Sequence, residues 1–321
     1  MWTAVALWIL TCGGAAIYIA WAAQLAARGT PVWVLAIGAL ALYLVLIFLF
    51  TACYFVLAWF CRARRPREAQ IGVAATLRLV ANEYRALIGT ARRMMFYRLL
   101  VRDPPSPTSA PAPVLLLHGV LCNAGVWLRM SRVLAAERIA PVYAMSYGPP
   151  LASIDLFADQ LATKIDAILA ATGARTVVIV SHSMGGLVAL AYCKKFGAAK
   201  IGRLISLGTP YHGSVHARFC PGECLQQIRP QSRWLDQLYA TPFALPPVYS
   251  IWSWHDSMVA PQTSAMLAGA ENIALLGVGH NALLADRGAA DEVVALIRGA
   301  QADPVTNGSP ASIARTPLPP A

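Results

Sequence analysis

The stretch VIVSHSMGGLVAL, residues 178–190, places a serine where an apolar run with strand character passes directly into one with helix character. A chain that turns from strand to helix this abruptly needs small side chains at the turn. Gly185 and Gly186 supply them, while Ser181 takes the first position of a G-x-S-x-G pattern in place of glycine. The turn would present the Ser183 hydroxyl above the positive end of a helix. The pattern therefore predicts a nucleophilic serine, with simple close packing as the alternative.

The residues that a nucleophilic serine requires occur later in the chain. A serine hydroxyl attacks only when a base takes its proton, and a carboxylate must orient that base. Asp256 follows the apolar run at 247–252, and His280 follows the run at 273–278. Both therefore lie where a parallel sheet would gather the ends of its strands. We expect Ser183, His280 and Asp256 to form a catalytic triad.

Two other residues compete for these roles. Asp286 is a weaker acid candidate because it falls inside a helical pattern. His255 competes as base, but it adjoins Asp256 and cannot easily point at the same serine. No cluster of histidine, cysteine and carboxylate residues has the spacing of metal ligands, so we expect no metal ion at this site.

A second loop is expected to complete the site. His118, Gly119 and Val120 follow the apolar run at 113–117. A tetrahedral oxyanion is stabilised by N–H groups that are already in position. We expect the backbone N–H groups of Val120 and Met184 to form this oxyanion hole, and His118 to brace the loop rather than to react.

Between residues 113 and 302, short apolar runs alternate with longer helical patterns. Strands are predicted at 113–117, 142–145, 176–181, 203–207, 247–252 and 273–278, and helices at 123–137, 153–171, 184–196 and 283–299. Such alternation predicts an α/β fold with a mostly parallel sheet covered by helices on both faces. The long stretch 212–243 separates two predicted strands, which predicts a lid; a purely structural insertion is the alternative.

The N-terminal part of the chain has a different composition. Residues 4–26 and 32–61 carry no charge, and each run exceeds the ~18 residues that indicate a membrane-spanning helix. We predict a transmembrane hairpin that turns at Arg28–Pro31. A secretory signal is the alternative for the first run, but Met1–Thr3 lacks the basic residue that such signals carry.

The net charge of +11 is concentrated next to these runs, since residues 62–102 hold ten basic and two acidic residues. Arginines beside spanning helices keep their side in the cytoplasm and attract anionic lipid headgroups. We therefore expect a cytoplasmic C-terminal domain, and nucleic acid is not an expected partner. The helical spacing of apolar residues at 71–100 predicts an amphipathic segment along the membrane surface.

The sequence thus divides into five predicted parts. They are a transmembrane hairpin at 1–61, a basic amphipathic juxtamembrane segment at 62–103, a Pro-rich linker at 104–112, the α/β domain at 113–302 and a disordered tail at 303–321. Among the seven cysteines only Cys220 and Cys224 are spaced like a pair. In a cytoplasmic domain they would stay reduced, whereas a disulfide would indicate an oxidising compartment.

Residues 113–299 resemble the α/β-hydrolases, and within them bacterial lipases and esterases of the triacylglycerol-lipase type. The resemblance rests on LLLHGVLCNAGVW, PPLASIDLFADQL, VIVSHSMGGLVALAY, LISLGTPYHGS, HDSMVAP and GVGHNAL. It implies an α/β-hydrolase fold, hydrolysis of hydrophobic carboxylic esters without a cofactor, and a lid region that opens at Gly208–Gly213 and includes 225–238. With the predicted hairpin, we expect an integral protein of a bacterial inner membrane. An acyltransferase with the same triad, or a non-catalytic membrane scaffold, would carry similar motifs.

Overall fold

The computed structural model of the chain describes residues 2–104, 112–302 and 311–312. The predicted linker and tail therefore lie almost entirely outside the described residues. The helices are α1 (Trp2–Ala27), α2 (Val32–Phe60), α3 (Val73–Met95), α4 (Tyr97–Leu100), α5 (Leu128–Ala136), α6 (Ile154–Thr172), α7 (Met184–Phe196), α8 (Glu223–Gln227), α9 (Arg233–Tyr239) and α10 (Arg287–Ala302). Short 3-10 helices cover Arg67–Ala69, Ala124–Trp127, Val215–Arg218, Gln262–Ala265 and Ala282–Leu284.

Six parallel strands form the central sheet, in the order β2-β1-β3-β4-β6-β7. The strands are β1 (Val114–Leu117), β2 (Val142–Met145), β3 (Val177–His182), β4 (Ile201–Leu207), β5 (Ala244–Leu245), β6 (Val248–Ser253), β7 (Glu271–Leu275) and β8 (Ala311–Ser312). The short strands β5 and β8 pair with each other in antiparallel fashion. The predicted α/β architecture with a mostly parallel sheet is confirmed.

Apolar cores cover both faces of the sheet, as strand β1 illustrates. Leu115 and Leu117 point into a core that also contains buried residues of α6 and α7. Val114 and Leu116 alternate with them and point into a second core formed with α5 and α10. Side chains of a strand alternate between the two faces, so an unbroken apolar run fits a strand that is buried on both.

Some predicted elements differ at their boundaries. The predicted helix at 123–137 begins as a 3-10 turn, because the Asn123 side chain accepts a hydrogen bond from the Gly125 N–H at 2.9 Å and caps that turn. The last predicted strand ends earlier, at Leu275, and the last helix begins later, at Arg287. The segment between them is therefore free to form a loop that carries His280.

Helices α1 and α2 form a hairpin, in which the Tyr18 hydroxyl donates a hydrogen bond to the Leu35 carbonyl at 2.7 Å. They contain 26 and 29 residues and expose most of their apolar side chains, Leu10 and Ile17 among them. At 1.5 Å per residue each helix exceeds the ~30 Å hydrocarbon core of a bilayer. Both are thus long and apolar enough to span a membrane.

Helix α3 packs between α2 and the α/β domain. The sequence does not predict this arrangement. On one side, the Tyr84 hydroxyl donates a hydrogen bond to the Leu44 carbonyl at 2.9 Å. On the other side, the backbone of Arg93 lies so close to Gly125 that a Cβ there would be 2.5 Å from the Arg93 carbonyl oxygen. The amphipathic pattern of this segment therefore serves packing against protein on at least two sides.

The stretch predicted to form a lid contains helices α8 and α9, and it is attached to the domain by several buried contacts. Cys224, Ile228, Leu235 and Leu238 belong to the core on the α6–α7 face. The Gln227 side chain accepts a hydrogen bond from the Ile154 N–H at 2.8 Å. Movement of this stretch as a lid stays a prediction. All seven cysteines, including Cys220 and Cys224, are free thiols.

The tight passage from β3 to α7 generates a stability prediction. A Cβ at Gly185 would lie 2.7 Å from the Leu117 carbonyl oxygen and 2.8 Å from that of His118, and backbone atoms cannot move aside cheaply. We expect Gly185→Ala to lower the free energy of unfolding by about 1–3 kcal/mol. Thermal unfolding of the full chain in detergent measures this. Gly72→Ala, where a Cβ would meet nothing within 4 Å, is the control, and an equal loss in both variants would contradict the prediction.

Candidate active site

Ser183 occupies the single residue between strand β3 and helix α7, with φ 55° and ψ −128°. Positive φ is uncommon for residues other than glycine and costs of order 1–3 kcal/mol. Two hydrogen bonds hold this conformation: the Ser183 N–H donates to the Leu207 carbonyl at 2.9 Å, and the Thr209 hydroxyl donates to the Ser183 carbonyl at 2.8 Å. The turn therefore fixes the serine at the carboxyl edge of the sheet, where its side chain is partly exposed.

His280 and Asp256 lie in the loops that follow β7 and β6, and they form a buried hydrogen-bonded pair. The His280 Nδ1 donates to Asp256 Oδ2 at 2.8 Å. Asp256 Oδ1 accepts the N–H groups of Met258 and Val259, both at 2.7 Å, so the carboxylate is itself held in place. With Nδ1 occupied, Nε2 is the nitrogen of His280 that remains to take up a proton.

The charges around His280 favour its protonated form. Burial opposes a charged imidazole, but the charge of Asp256, its hydrogen bond and the more distant charge of Glu83 together outweigh burial and raise the pKa of His280. A base with a raised pKa holds the proton that it takes from a nucleophile more firmly. Below this pKa the imidazole is already protonated and cannot act as the base.

Residues that adjoin or bond to the turn at Ser183 contact this pair. The ring of His182 contacts that of His280, with centroids 4.6 Å apart, and its Nε2 donates to the His280 carbonyl at 3.0 Å. On the other side, a Cβ at Gly208 would lie 3.0 Å from Asp256 Oδ2. Within the described residues the Ser183 hydroxyl itself makes no hydrogen bond. Such contacts are often loose before a substrate binds.

The loop after β1 also approaches the serine. A Cβ at Gly119 would lie 2.8 Å from that of Ser183, so only glycine allows this approach. Val120 follows directly, and Met184 is the first residue of α7. In the described part of the chain, the backbone N–H groups of Val120 and Met184 donate to no protein group. Both are therefore available to an oxyanion beside Ser183.

His118 is held as a structural support of this loop. Its Nδ1 donates to the Gly119 carbonyl at 2.8 Å, and its Nε2 accepts the Tyr147 N–H at 3.4 Å. The rings of His118 and Tyr147 stack with centroids 4.0 Å apart. Burial lowers the pKa of His118 to about 4, so the ring stays neutral near pH 7. With both nitrogens occupied, His118 braces the loop.

The remaining residues singled out from the sequence have structural partners. Ser181 is buried in β3 and its hydroxyl donates to the Ile205 carbonyl at 3.3 Å, while Gly186 lies against the Thr209 side chain. Asp286 accepts the Ala289 N–H at 3.0 Å and thereby caps α10. Among the residues the structure describes, no three histidine, cysteine or carboxylate side chains cluster tightly enough to hold a metal ion.

His255, the competing base candidate, bonds to a different part of the structure. Its Nδ1 accepts the Gly277 N–H at 3.1 Å. Burial and the charge of Arg65 lower its pKa to about 4. The structure therefore gives His255 a hydrogen bond to the loop after β7, whereas His280 receives the carboxylate.

Glu83, which the sequence did not suggest as a site residue, reaches the site from helix α3. Its carboxylate accepts four hydrogen bonds at 2.9 Å, from the Ser257 hydroxyl, the Asn281 N–H and side-chain amide, and the Ala282 N–H. These donors belong to the loops that carry Asp256 and His280. Glu83 is only 2% exposed, so it depends on these donors in place of water. The carboxylate thus holds the Asp256 loop through the Ser257 side chain and the His280 loop through the backbone of Asn281 and Ala282.

A signal for Glu83 exists in the sequence. The buried residues of α3 are Leu79, Glu83, Thr90 and Met94, whose spacings of four, seven and four place them on one face of the helix. An acidic residue on such a face is rarely buried without partners.

A second contact from the same region links the Ala63 N–H, through the side chain of Gln262, to the Asp256 carbonyl, with distances of 3.2 and 3.1 Å.

A known protein family and several solved structures are similar to this chain. A model of the alpha/beta hydrolase family matches residues 114–305. Among solved structures, the mature Bacillus licheniformis lipase BlEst2 is similar with a TM-score of 0.51 and 16% identity, over 61% of this chain and 95% of that one. Aspergillus fumigatus lipase B is similar with a TM-score of 0.50 and 21% identity, over 59% and 54% of the two chains. At these identities the structural matches establish a shared fold.

The contacts of Glu83 generate a prediction about proton transfer. Glu83→Gln removes one of the negative charges that raise the pKa of His280. We therefore expect the acid limb of the pH dependence of Ser183 labelling by a fluorophosphonate to move to lower pH. Glu83→Ala, which leaves buried donors without an acceptor, should also cost about 1–3 kcal/mol of stability per lost partner.

The matched control is Glu68→Gln, which removes the other acidic charge of the same segment at an exposed position. It should leave both the pH profile and the thermal midpoint unchanged. If the pH profile of Glu83→Gln stays at that of the wild type, Glu83 does not act on His280 electrostatically.

Proposed function

Since the chain belongs to the alpha/beta hydrolase family, we propose that it is a membrane-anchored serine hydrolase that cleaves carboxylic esters of hydrophobic acyl chains. The observation that carries the proposal is the buried hydrogen bond between His280 and Asp256, next to a strained Ser183. An imidazole oriented by a carboxylate is the arrangement that a serine needs to become a nucleophile.

The proposed reaction has two halves, acylation of Ser183 and hydrolysis of the acyl-enzyme, and the same imidazole acts in both. Ser183 Oγ attacks the acyl carbon while His280 Nε2 takes the hydroxyl proton, and Asp256 stabilises the resulting imidazolium. The N–H groups of Val120 and Met184 stabilise the oxyanion. His280 then gives the proton to the departing alcohol, which leaves an acyl-enzyme. Water, deprotonated by the same imidazole, releases the carboxylic acid and restores the Ser183 hydroxyl.

The apolar hairpin supports the proposed substrate class and the anchoring. Helices α1 and α2 expose large apolar side chains such as Trp33 and Leu46, which in water would form an unusually large apolar surface. A bilayer removes that surface from water and also holds esters that water does not dissolve. The excess of arginines in residues 62–102 favours a cytoplasmic catalytic domain. Two of the similar solved structures are lipases, which agrees with this class.

We assign the stretch 212–243 to the lid of this site. Its support is the position of the stretch between β4 and β6, whose ends border the site. Helices α8 and α9 would have to leave the buried contacts of Ile228 and Leu235 in order to open. Contact with a lipid surface could replace those contacts, because apolar side chains lose little when they pass from a core to hydrocarbon.

The catalytic roles are tested by covalent labelling. A fluorophosphonate should label the wild type, and Ser183→Ala should abolish labelling. His280→Ala and Asp256→Asn should slow it by about 10⁴-fold, because the base is lost or wrongly oriented. Asp286→Asn is the matched control and should label within a few-fold of the wild type. Absence of labelling in the wild type would favour a non-catalytic scaffold, and rapid labelling of Asp256→Asn would remove Asp256 from its role.

The substrate class is tested by acyl chain length. Each methylene that enters an apolar site contributes up to ~0.8 kcal/mol. We therefore expect kcat/KM of the full chain in mixed micelles to rise at least tenfold from p-nitrophenyl acetate to the octanoate. The free acid and any new ester are quantified together. Transfer of the acyl group to an added alcohol in preference to water would indicate an acyltransferase. A flat chain-length profile would contradict the proposed substrate class and leave the serine chemistry intact.

A further inference from the structure

A cavity of about 1060 Å³ lies on the side of Asp256 that faces the N-terminal region. Its walls come from the end of α2, the segment 62–65, helix α3 and the loop at 255–256. The apolar part of the lining includes Phe60, Val73 and Leu77, which are 80%, 79% and 67% exposed. One side of the cavity is therefore open, apolar and next to a helix long enough to span a bilayer.

Two residues that line this cavity each carry a buried N–H group that has no partner within the described residues. His255 is 2% exposed, and its Nδ1 accepts the Gly277 N–H, so the ring proton is on Nε2. That Nε2 is buried and bonds to no atom of the described ranges, and the same holds for the Nε of Arg65. A buried donor without an acceptor is unfavourable and indicates a missing acceptor.

The charge of the cavity indicates which acceptor is missing. Arg62, Arg64 and Arg65 line it, and in the described part of the chain none of them forms a salt bridge. The acidic residue in the lining is Asp256, whose two carboxylate oxygens are already bonded to His280, Met258 and Val259. Arg62 lies over the Trp59 ring and donates to the Trp59 carbonyl at 2.8 Å. Three cations without an acidic partner among the described residues, together with two unbonded donors, nevertheless favour an oxyanion.

We propose that this cavity binds an anionic membrane lipid, with its phosphate on Arg65 and His255 and an acyl chain along the apolar lining from α2 and α3. A free anion would use the donors but leave the exposed apolar walls in water, whereas a lipid accounts for both. The site is separate from the serine side of the triad, because it borders Asp256 and not Ser183. Its occupant would touch the loop that holds Asp256.

The test uses the full chain, delipidated in a neutral detergent, and native mass spectrometry of lipid adducts. We expect phosphatidylglycerol to bind at least tenfold more tightly than phosphatidylcholine with the same acyl chains. Arg65→Gln should reduce phosphatidylglycerol affinity at least tenfold, and Val80→Phe, which fills part of the cavity, should reduce it as well. Arg67→Gln is the matched control: it removes one exposed arginine of the same segment outside the cavity, and should change affinity less than twofold.

Three results would overturn the proposal. Equal binding of the two lipids would show that the headgroup charge is not recognised. An equal loss in Arg65→Gln and Arg67→Gln would show general attraction to a basic surface. Inorganic phosphate that competes at the affinity of the lipid would show a site for a free anion. Because binding requires no turnover, Ser183→Ala should bind phosphatidylglycerol like the wild type, so this test is independent of the proposed hydrolysis.

Discussion

Two buried carboxylates hold the loop that carries His280, and the geometry of the candidate site depends on both. Asp256 binds the imidazole ring at Nδ1, while Glu83 accepts the backbone N–H groups of Asn281 and Ala282. A carboxylate that loses its water requires several strong donors in return. Here most donors belong to the two loops themselves. The hydrogen bonds that satisfy the buried charges therefore also fix the loops.

This constraint extends the site beyond the α/β domain. The family match begins at residue 114, whereas Glu83 and Ala63 precede it and bond to the loops of His280 and Asp256. Helix α3 also contacts α2 through Tyr84. The segment next to the proposed membrane anchor therefore contributes hydrogen bonds to the candidate site. An α/β domain expressed without residues 62–103 would lack them.

The basic segment has more than one structural environment. Arg93 packs against the 3-10 turn at Ala124–Trp127, whereas Arg62 and Arg65 line the cavity beside Asp256. Burial and the charge of Arg62 lower the pKa of Arg65 below its ordinary value. Cations brought so close together, with no acidic partner in the part of the chain that the structure describes, repel one another. An anion in the proposed site would relieve this repulsion.

The strands and helices of the α/β domain follow from the local pattern of apolar residues, and so does the turn at Ser183, because both depend on neighbours within a few positions. Spacing along the chain also suggested which acid and which histidine follow late strands. The adjacency of His255 to Asp256 also favoured His280 as the base. Spacing did not assign a partner to Glu83, which bonds to Asn281 at a separation of 198 residues. A helical pattern records which face of α3 is buried. Only the packing of distant segments decides which groups a buried charge will meet there, since hydrogen bonds depend on proximity in space and not along the chain.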